Sequence, residues 1–330
     1  MGLLDRPEVI ILKESSDAKA YLEKLEVLKE KVSEKSELAQ KIEKEIIITK
    51  AGILGEEQIL FELKNSGMDL VVIHDIYIED PDGNGAQIDF LVVTPYVNVF
   101  IECKNLFGNI EINSKGDFIR TMQFGKKFTK EGIYSPVTQN ERHLRVFKEC
   151  RRATKGLLGG ALFEKQFDKY NKSLIVLANP KTVVNDKYAP ASIKNQVIRA
   201  DQLITVLKEL KSDVKSSKKE IMEYAKKFLA MNVEGRTDYY AKYEELEKEL
   251  DNQAAEEAIT TPAELPQSDA PEDKALDVVS DTNEVAQEVK TCPRCGKELV
   301  LRTATKGEHQ GKQFWGCSGF PKCRYIENIK

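Results

Sequence analysis

Between Ile88 and Asn105 two apolar runs of β character stand close together, Ile-Asp-Phe-Leu-Val-Val and Val-Phe-Ile-Glu-Cys-Lys-Asn. Only a short connection around Pro95-Tyr96 separates them, which specifies an antiparallel hairpin. Each run carries charge near one end, Asp89 in the first and Glu102 and Lys104 in the second. An unpaired charge in a doubly buried strand costs several kcal/mol. The fold must therefore supply these groups with partners or a bound ion.

With 330 residues, 41% of them hydrophobic, the chain can bury a sizeable core and has the length of about two domains. The segment from Met1 to Glu14 lacks the apolar run of a signal peptide, and no stretch reaches the ~18 apolar residues that span a bilayer. A soluble, cytoplasmic protein without membrane contact is the expectation. Four of the six cysteines, Cys292, Cys295, Cys317 and Cys323, crowd together near the C-terminal end. That is metal-ligand spacing, and a reducing compartment accommodates all six thiols.

The net charge of -4 conceals a division along the chain. From Asp251 to Lys290 eleven acids face two lysines, whereas from Thr291 to Lys330 eight bases face three acids. The remainder is close to neutral. A small basic tail follows an acidic tether, and the tail is the part drawn to phosphate.

From Ser15 to about Ile48, Tyr21, Leu25, Leu28, Val32, Ala39 and Ile42 recur at helical intervals, which predicts one amphipathic helix that packs on its own domain or forms a coiled coil with a second copy. Gly52 and Gly55 are read as an interruption, with a second helix from about Glu56 to Lys64. Strands are expected at Leu70 to Ile78, Gln87 to Val93 and Val97 to Lys104, forming a meander whose first turn is Asp82-Gly83-Asn84-Gly85. A short hairpin follows between Asn109–Ile112 and Phe118–Arg120. Pro136 opens a helix through about Arg152, then comes a Gly-rich break. Ser173 to Pro180 reads as a central strand buried on both faces. A strand near Gln196 to Ile198 and helices at Asp201 to Leu210 and Ser217 to Ala230 complete one α/β unit with a mixed sheet. A charged helix from Tyr239 to Leu250 leads into a Pro-punctuated acidic segment expected to be a disordered linker. The expected divisions are an N-terminal helix at 1–50, a catalytic-type domain at 51–232, the charged helix and linker at 233–290 and the cysteine-rich tail at 291–330.

In a strand, residues two apart share a face, so Glu102 and Lys104 project together. A two-residue turn at Pro95-Tyr96 would set Asp89 opposite Glu102, with Cβ atoms roughly 5 Å apart. Two carboxylates at that distance repel unless a cation neutralises them. Mg²⁺ or Mn²⁺ suits such a pair, since a hard ion takes oxygen ligands and often only one or two protein carboxylates. With Lys104 beside it, the constellation fits phosphodiester hydrolysis.

Gly52-Ile-Leu-Gly-Glu56, Ile88-Asp-Phe-Leu-Val92, Ile101-Glu-Cys-Lys-Asn105 and Ser135-Pro-Val-Thr-Gln139 together resemble the nuclease-related domain (NERD) proteins, relatives of the PD-(D/E)xK nucleases. The resemblance covers roughly Ala51 to Ala178 and implies a restriction-endonuclease-like mixed sheet with flanking helices. It implies that Asp89 and Glu102 bind the metal, that Lys104 assists the attacking water, and that Glu56 and Gln139 belong to the same site. His143, one helical turn beyond Gln139, is positioned to face the same cleft.

Cys292-Pro-Arg-Cys295 and Cys317-Ser-Gly-Phe-Pro-Lys-Cys323 supply four thiolates for a closed tetrahedral Zn²⁺ site. So short a segment cannot build a sufficient core alone, so the metal carries much of its folding energy. These residues, with Gly311 to Gly316, resemble the C-terminal zinc ribbons of type IA topoisomerases. That resemblance implies contact with single-stranded DNA through Arg302, Lys312, Phe314, Trp315, Phe320 and Arg324, some of the aromatics being needed instead for the mini-core. The combined expectation is a metal-dependent DNA nuclease whose ribbon recruits single-stranded or distorted DNA. The alternative is a noncatalytic DNA-binding or assembly protein that uses the nuclease fold as a scaffold.

Overall fold

The computed structural model describes residues 6–34, 36–260, 290–295, 297–303, 313–318 and 323–328. The chain divides into two compact units, Met1–Ala263 and Glu264–Lys330. The first opens with strand β1 (Val9–Lys13) and helices α1 (Asp17–Glu30) and α2 (Glu37–Lys64), followed by β2 (Leu70–Glu79), β3 (Gly85–Val93) and β4 (Asn98–Lys104). Next come β5 (Asn109–Ile112), β6 (Phe118–Phe124), β7 (Lys127–Ile133), α3 (Pro136–Ala153), α4 (Leu157–Tyr170) and β8 (Asn171–Leu177). Short elements β9 (Val184–Asn185), α5 (Ala191–Lys194), β10 (Val197–Arg199) and a 3-10 turn at Ala200–Gln202 precede α6 (Leu203–Glu209), α7 (Lys218–Leu229) and α8 (Asp238–Thr260).

Six strands form the main sheet in the order β1-β2-β3-β4-β8-β10. The β2-β3-β4 meander is antiparallel, while β1, β8 and β10 join in parallel, so the sheet is mixed. One face packs on α2 and α6, with Ile59, Leu63, Phe90, Val99 and Ile101 buried together. The other packs on α3 and α7, where Leu91, Phe100, Phe147 and Phe228 meet. Burial on both sides explains why β2, β4 and β8 read as nearly continuous apolar runs. A second sheet, ordered β7-β6-β5-β9, rests on Ile175 and Leu177 of β8 through Ile110, Ile112 and Phe118.

The two-residue turn at Pro95-Tyr96 is closed by Thr94 N–H donating to Val97 O at 3.0 Å. Thr94 Oγ1 also accepts from the N–H of Tyr96 and of Val97. In the β2-β3 turn, Asp80 Oδ1 accepts from the backbone of Asp82 and Asn84, and Gly83 takes φ 82°, a conformation glycine adopts without steric cost.

The N-terminal helices depart from expectation. The break falls not at Gly52 but at residues 31–36, where the Ser36 hydroxyl caps α2 by accepting from Ala39 N–H. α2 then continues unbroken through both glycines, so the boundary expected at 50/51 lies inside a helix. Gly55 serves close approach: a Cβ there would stand 2.7 Å from Asn105 Cβ and 3.1 Å from Cys103 Sγ. The apolar face of α1 is covered within the chain, since Tyr21, Leu25 and Leu28 pack with Leu38, Ile42 and Ile46 of α2 and Leu246 of α8. A different stripe of α2, Ile47, Leu54 and Phe61, remains exposed at seven-residue spacing.

Four further differences are local. β1 falls inside the segment assigned to the N-terminal helix, β7 in a stretch given no element, α4 replaces the Gly-rich break, and α8 extends helix through Asp251–Thr260, the start of the expected linker. The rest of that linker lies outside the described residues. No helix among them is long and apolar enough to cross a membrane.

The second unit is a three-stranded antiparallel ribbon of β11 (Leu299–Thr303), β12 (Gln313–Cys317) and β13 (Ile326–Asn328), in the order β11-β12-β13. The backbone of Cys292 donates to Lys297 O and that of Cys317 to Tyr325 O, tying the cysteine turns to the strands.

Candidate active site and zinc ribbon

The β3-β4 ladder pairs Phe90 with Ile101 and Leu91 with Phe100, so partner numbers sum to 191 as expected, but its last pair is one position short of Asp89 and Glu102. There the ladder ends. Asp89 Oδ2 accepts from the Cys103 backbone N–H at 2.7 Å, so the carboxylate fills the place of a strand partner as β3 and β4 separate. Across β3, Asp75 of β2 has φ 52°, an uncommon backbone for a non-glycine residue, and accepts from Gln87 Nε2 and Asp17 N–H. The β2-β3 ladder thus skips Asp75 and the β3-β4 ladder ends where the charged residues gather.

Glu102 is buried, 1% exposed, and Lys104 Nζ donates to its Oε1 at 2.5 Å. Its second oxygen, Oε2, has no hydrogen-bond partner and lies 3.5 Å from His143 Nδ1, which is equally unpartnered. α3 carries His143 to this point. Asn140 anchors that helix by donating to Phe100 O and Ser173 Oγ, both at 2.9 Å. Gln139, half-buried, occupies the first turn of α3 above the buried Pro136 and Val137.

Burial pushes the Asp89 carboxyl well above the ordinary carboxylate range, and the charges of Glu102 and Glu56 add to it against Lys104. Burial raises Glu102 as well, opposed by Lys104. Burial pulls the Lys104 ammonium down, but Glu102 and Asp89 outweigh it and leave its pKa raised. His143 is held down to about 4 by burial and the Lys104 charge, so its imidazole is neutral at pH 7. A buried carboxylate and a half-buried one share a single lysine, and both stay raised despite it, which is the electrostatic setting of a cation site. The orphaned Glu102 Oε2 and an all-oxygen donor pair fit a hard divalent ion. Among the described residues these acids do not form a cluster of three or more ligand groups; the four cysteines are the one group that does.

Glu56 is directed to His74, whose Nε2 lies 2.9 Å from Glu56 Oε2 and whose ring stacks on Phe90 at 4.5 Å. It influences Asp89 and Glu102 through charge. His74 is a member of this network that sequence reasoning missed, and its signal was the His74-Asp75 pair inside the apolar β2 run. Tyr239 of α8 was missed as well: burial, then the charges of Glu56, Asp89 and Asp75, raise its phenol. Only the folded chain reveals that α8 returns to this network.

In the ribbon, the Sγ atoms of Cys292, Cys295, Cys317 and Cys323 all lie within 4.8 Å of one another. Four thiols so gathered form a zinc-binding site of the closed, structural type. Trp315 packs against the cluster formed by Cys292, Leu299, Cys317 and Cys323 and belongs to the mini-core. Phe314 and Arg324 line a groove of about 270 Å³ with Tyr325 and Ile326. Arg302 is on β11 opposite Phe314, whereas Lys312 and Phe320 lie outside the described residues.

Residues 51–178 match the nuclease-related domain family, and residues 289–330 match the topoisomerase DNA binding C4 zinc finger family. The ribbon end is 44% identical over 46 residues to DNA topoisomerase 1 of Methanocaldococcus jannaschii, covering 14% of this chain and 5% of that protein. It is 46% identical over 47 residues to DNA topoisomerase 1 of Methanothermobacter thermautotrophicus, covering 14% of this chain and 6% of that protein. The chain thus spans about a twentieth of the length of these curated relatives. No solved structure matches it. A nuclease-related domain and a topoisomerase-type C4 zinc ribbon therefore occur in one chain, a combination that points to work on DNA.

Proposed function

We propose that the protein is a metal-dependent DNA nuclease, with Asp89 and Glu102 as ligands to Mg²⁺ or Mn²⁺ and the ribbon as a recruiter of single-stranded or distorted DNA. The observation that carries this reading is the buried, unpartnered Glu102 Oε2 beside an Asp89 carboxyl raised by burial. When bound, the cation would polarise the scissile phosphate and acidify the attacking water. The chain's own groups have separate tasks. The Lys104 ammonium, fixed by Glu102, holds positive charge where the phosphate becomes more negative. The Gln139 amide orients substrate or water, and the Glu56–His74 pair braces α2 against β2. Neutral His143 is available to accept a proton at Nδ1.

In the ribbon, Arg302, Lys312 and Arg324 are proposed to follow the phosphates, while Phe314 and Phe320 meet bases. Trp315 is assigned to the mini-core rather than to stacking, on the strength of its packing against the cysteines. Self-association is proposed through the exposed Ile47, Leu54 and Phe61 stripe of α2, whose heptad spacing suits a second copy.

The test is incubation with Mg²⁺ or Mn²⁺ and single-stranded, duplex and forked DNA. Cleavage abolished by chelation and reduced about a hundredfold or more by Asp89→Ala and by Lys104→Ala is expected. No cleavage of any form, or equal cleavage by the variants, overturns the reading. One observation favours the noncatalytic alternative, in which the fold is a DNA-binding scaffold: Lys104 already pairs with Glu102, and no cluster of three or more ligands gathers there among the described residues. Absence of Mn²⁺ binding in calorimetry would select it.

A further inference from the structure

The second sheet and the connection that leads into it from β4 carry large aromatic side chains outside the hydrophobic clusters of the described residues. Phe107 is 54% exposed, Phe124 58% and Phe128 66%. The Phe107 and Phe124 rings lie 5.7 Å apart. The β6-β7 register sets Phe124 opposite Lys127 and Gln123 opposite Phe128, so Phe124 and Phe128 project from opposite faces of one narrow tip. Lys126 and Lys127, at its turn, enter no ion pair among the described residues. Elsewhere in this sheet Arg120 is matched by Glu131 and Lys130 by Glu111. Clustered exposed aromatics mark an interaction surface, and their chemistry here is rings interleaved with unmatched positive charge.

The sheet that carries this tip shares a face of the main sheet with the carboxylate site. Glu102 and Lys104 are in register with Ile175 and Leu177 of β8, and parallel partners share a face. Ile175 and Leu177 are the side chains on which the second sheet rests. Site and second sheet therefore occupy the same face of the main sheet, one strand apart. The chain links them at both edges: Phe107 follows Lys104 by three residues, and exposed Tyr134 precedes Gln139 by five.

We infer that the tip of the second sheet is a platform for single-stranded DNA. Bases stack on Phe107, Phe124 and Phe128 while Lys126 and Lys127 neutralise the backbone, and the strand continues towards Asp89, Glu102 and Lys104. The direction of that path rests on the nuclease reading; the binding itself does not. Paired bases are already stacked on their neighbours and cannot take up these rings without melting, so the platform favours single strands over duplex.

The full-length, zinc-loaded protein is exposed to ultraviolet light, in buffer without added Mg²⁺ or Mn²⁺ and without chelator, with a single-stranded oligonucleotide carrying 5-bromodeoxyuridine, and cross-linked peptides are identified by mass spectrometry. Cross-links to the peptides holding Phe124 and Phe128 are expected. Phe124→Ala and Phe128→Ala each weaken single-strand affinity about fivefold or more, with far-ultraviolet circular dichroism unchanged. Lys126→Gln with Lys127→Gln flattens the salt dependence of binding. Cross-links confined to the ribbon, unchanged affinity in both phenylalanine variants, or equal losses on duplex overturn the proposal. So does a concentration-dependent mass abolished by Phe124→Ala with DNA affinity intact, which assigns the patch to a second copy. Absent cleavage with these cross-links intact removes the nuclease reading and leaves the platform; intact cleavage with cross-links elsewhere does the reverse.

Discussion

Glu102 Oε2 and His143 Nδ1 face each other across 3.5 Å, both buried and neither hydrogen-bonded. That separation is too long for a direct hydrogen bond, and leaving such atoms unsatisfied costs about 1–3 kcal/mol each. A divalent cation on Glu102, with His143 bordering it, relieves the cost. Calorimetric titration with Mn²⁺ should therefore show binding that Glu102→Ala abolishes and His143→Ala weakens about tenfold, the usual scale for a supporting residue. Equal affinity in wild type and His143→Ala would remove the histidine from the site. Because its pKa lies near 4, no activity limb near pH 6.5 is expected from it.

Asp89 gives a stability prediction with a defined sign. Its folded pKa is raised by burial, then by Glu102 and Glu56. The ionised form therefore weakens the fold. The penalty is absent below the ordinary aspartate range and grows as pH rises towards the folded value. In EDTA at pH 8, Asp89→Asn should stabilise the protein by on the order of 1 kcal/mol, about 2–4 °C in Tm for a unit of this size. The amide oxygen still accepts from Cys103 N–H. The gain should vanish near pH 3.5, and Mn²⁺ should raise the Tm of wild type only. A destabilised Asp89→Asn protein at pH 8 would sink the account.

Two glycines of α2 should respond in opposite directions. A Cβ at Gly55 meets Asn105 Cβ at 2.7 Å, with Cys103 Sγ and Ala178 Cβ close behind. Gly55→Ala thus presses the helix off β4 and should cost about 1–3 kcal/mol. Gly52 has nothing within 4 Å, so Gly52→Ala should stabilise by about 0.5–1 kcal/mol through helix propensity. Chemical denaturation of both variants checks the pair; equal effects would refute the close-approach role of Gly55.

The same two glycines show where sequence reading succeeded and failed. The β3-β4 hairpin was legible because a two-residue turn fixes register; the register holds as far as Phe90 and Ile101, and beyond it the Asp89 carboxylate takes the Cys103 N–H instead of a strand partner. The cysteine spacing was legible because tetrahedral coordination tolerates few arrangements. Gly52 and Gly55 read as helix breakers because a sequence shows their propensity but not the strand that Gly55 allows α2 to approach. β1 needed a partner about sixty residues away, Leu70 to Ile73, before Val9–Lys13 became a strand. β7 lacks alternation, since most of Lys127–Ile133 is exposed and β6 alone pairs with it. His74 and Tyr239 joined the carboxylate network only through tertiary packing.

Self-association should depend on α2 rather than α1. Ile47, Leu54 and Phe61 are 60%, 63% and 61% exposed, whereas Leu25 and Leu28 of α1 are buried inside the chain. Leu54→Lys should abolish any concentration-dependent mass in light scattering and leave helicity unchanged. Leu25→Ala should instead destabilise the fold by about 2–5 kcal/mol, as expected for a cavity in the helical cluster. A mass equal to one chain at all concentrations would exclude the α2 seam.

Metal removal is readable through one residue. The chain's single tryptophan, Trp315, packs against the cluster formed by Cys292, Leu299, Cys317 and Cys323. A closed zinc site contributes folding energy directly, and so few apolar side chains cannot hold the ribbon without it. A strong zinc chelator, or Cys292→Ser, should shift Trp315 emission to longer wavelength as the ring is released to water. Far-ultraviolet circular dichroism should change little, because all the helices among the described residues belong to the other unit. Zn²⁺ added back after chelation should restore the emission, and Mg²⁺ should not, since thiolates select the softer ion. Unchanged emission after verified zinc loss would show that the ribbon stands without its metal.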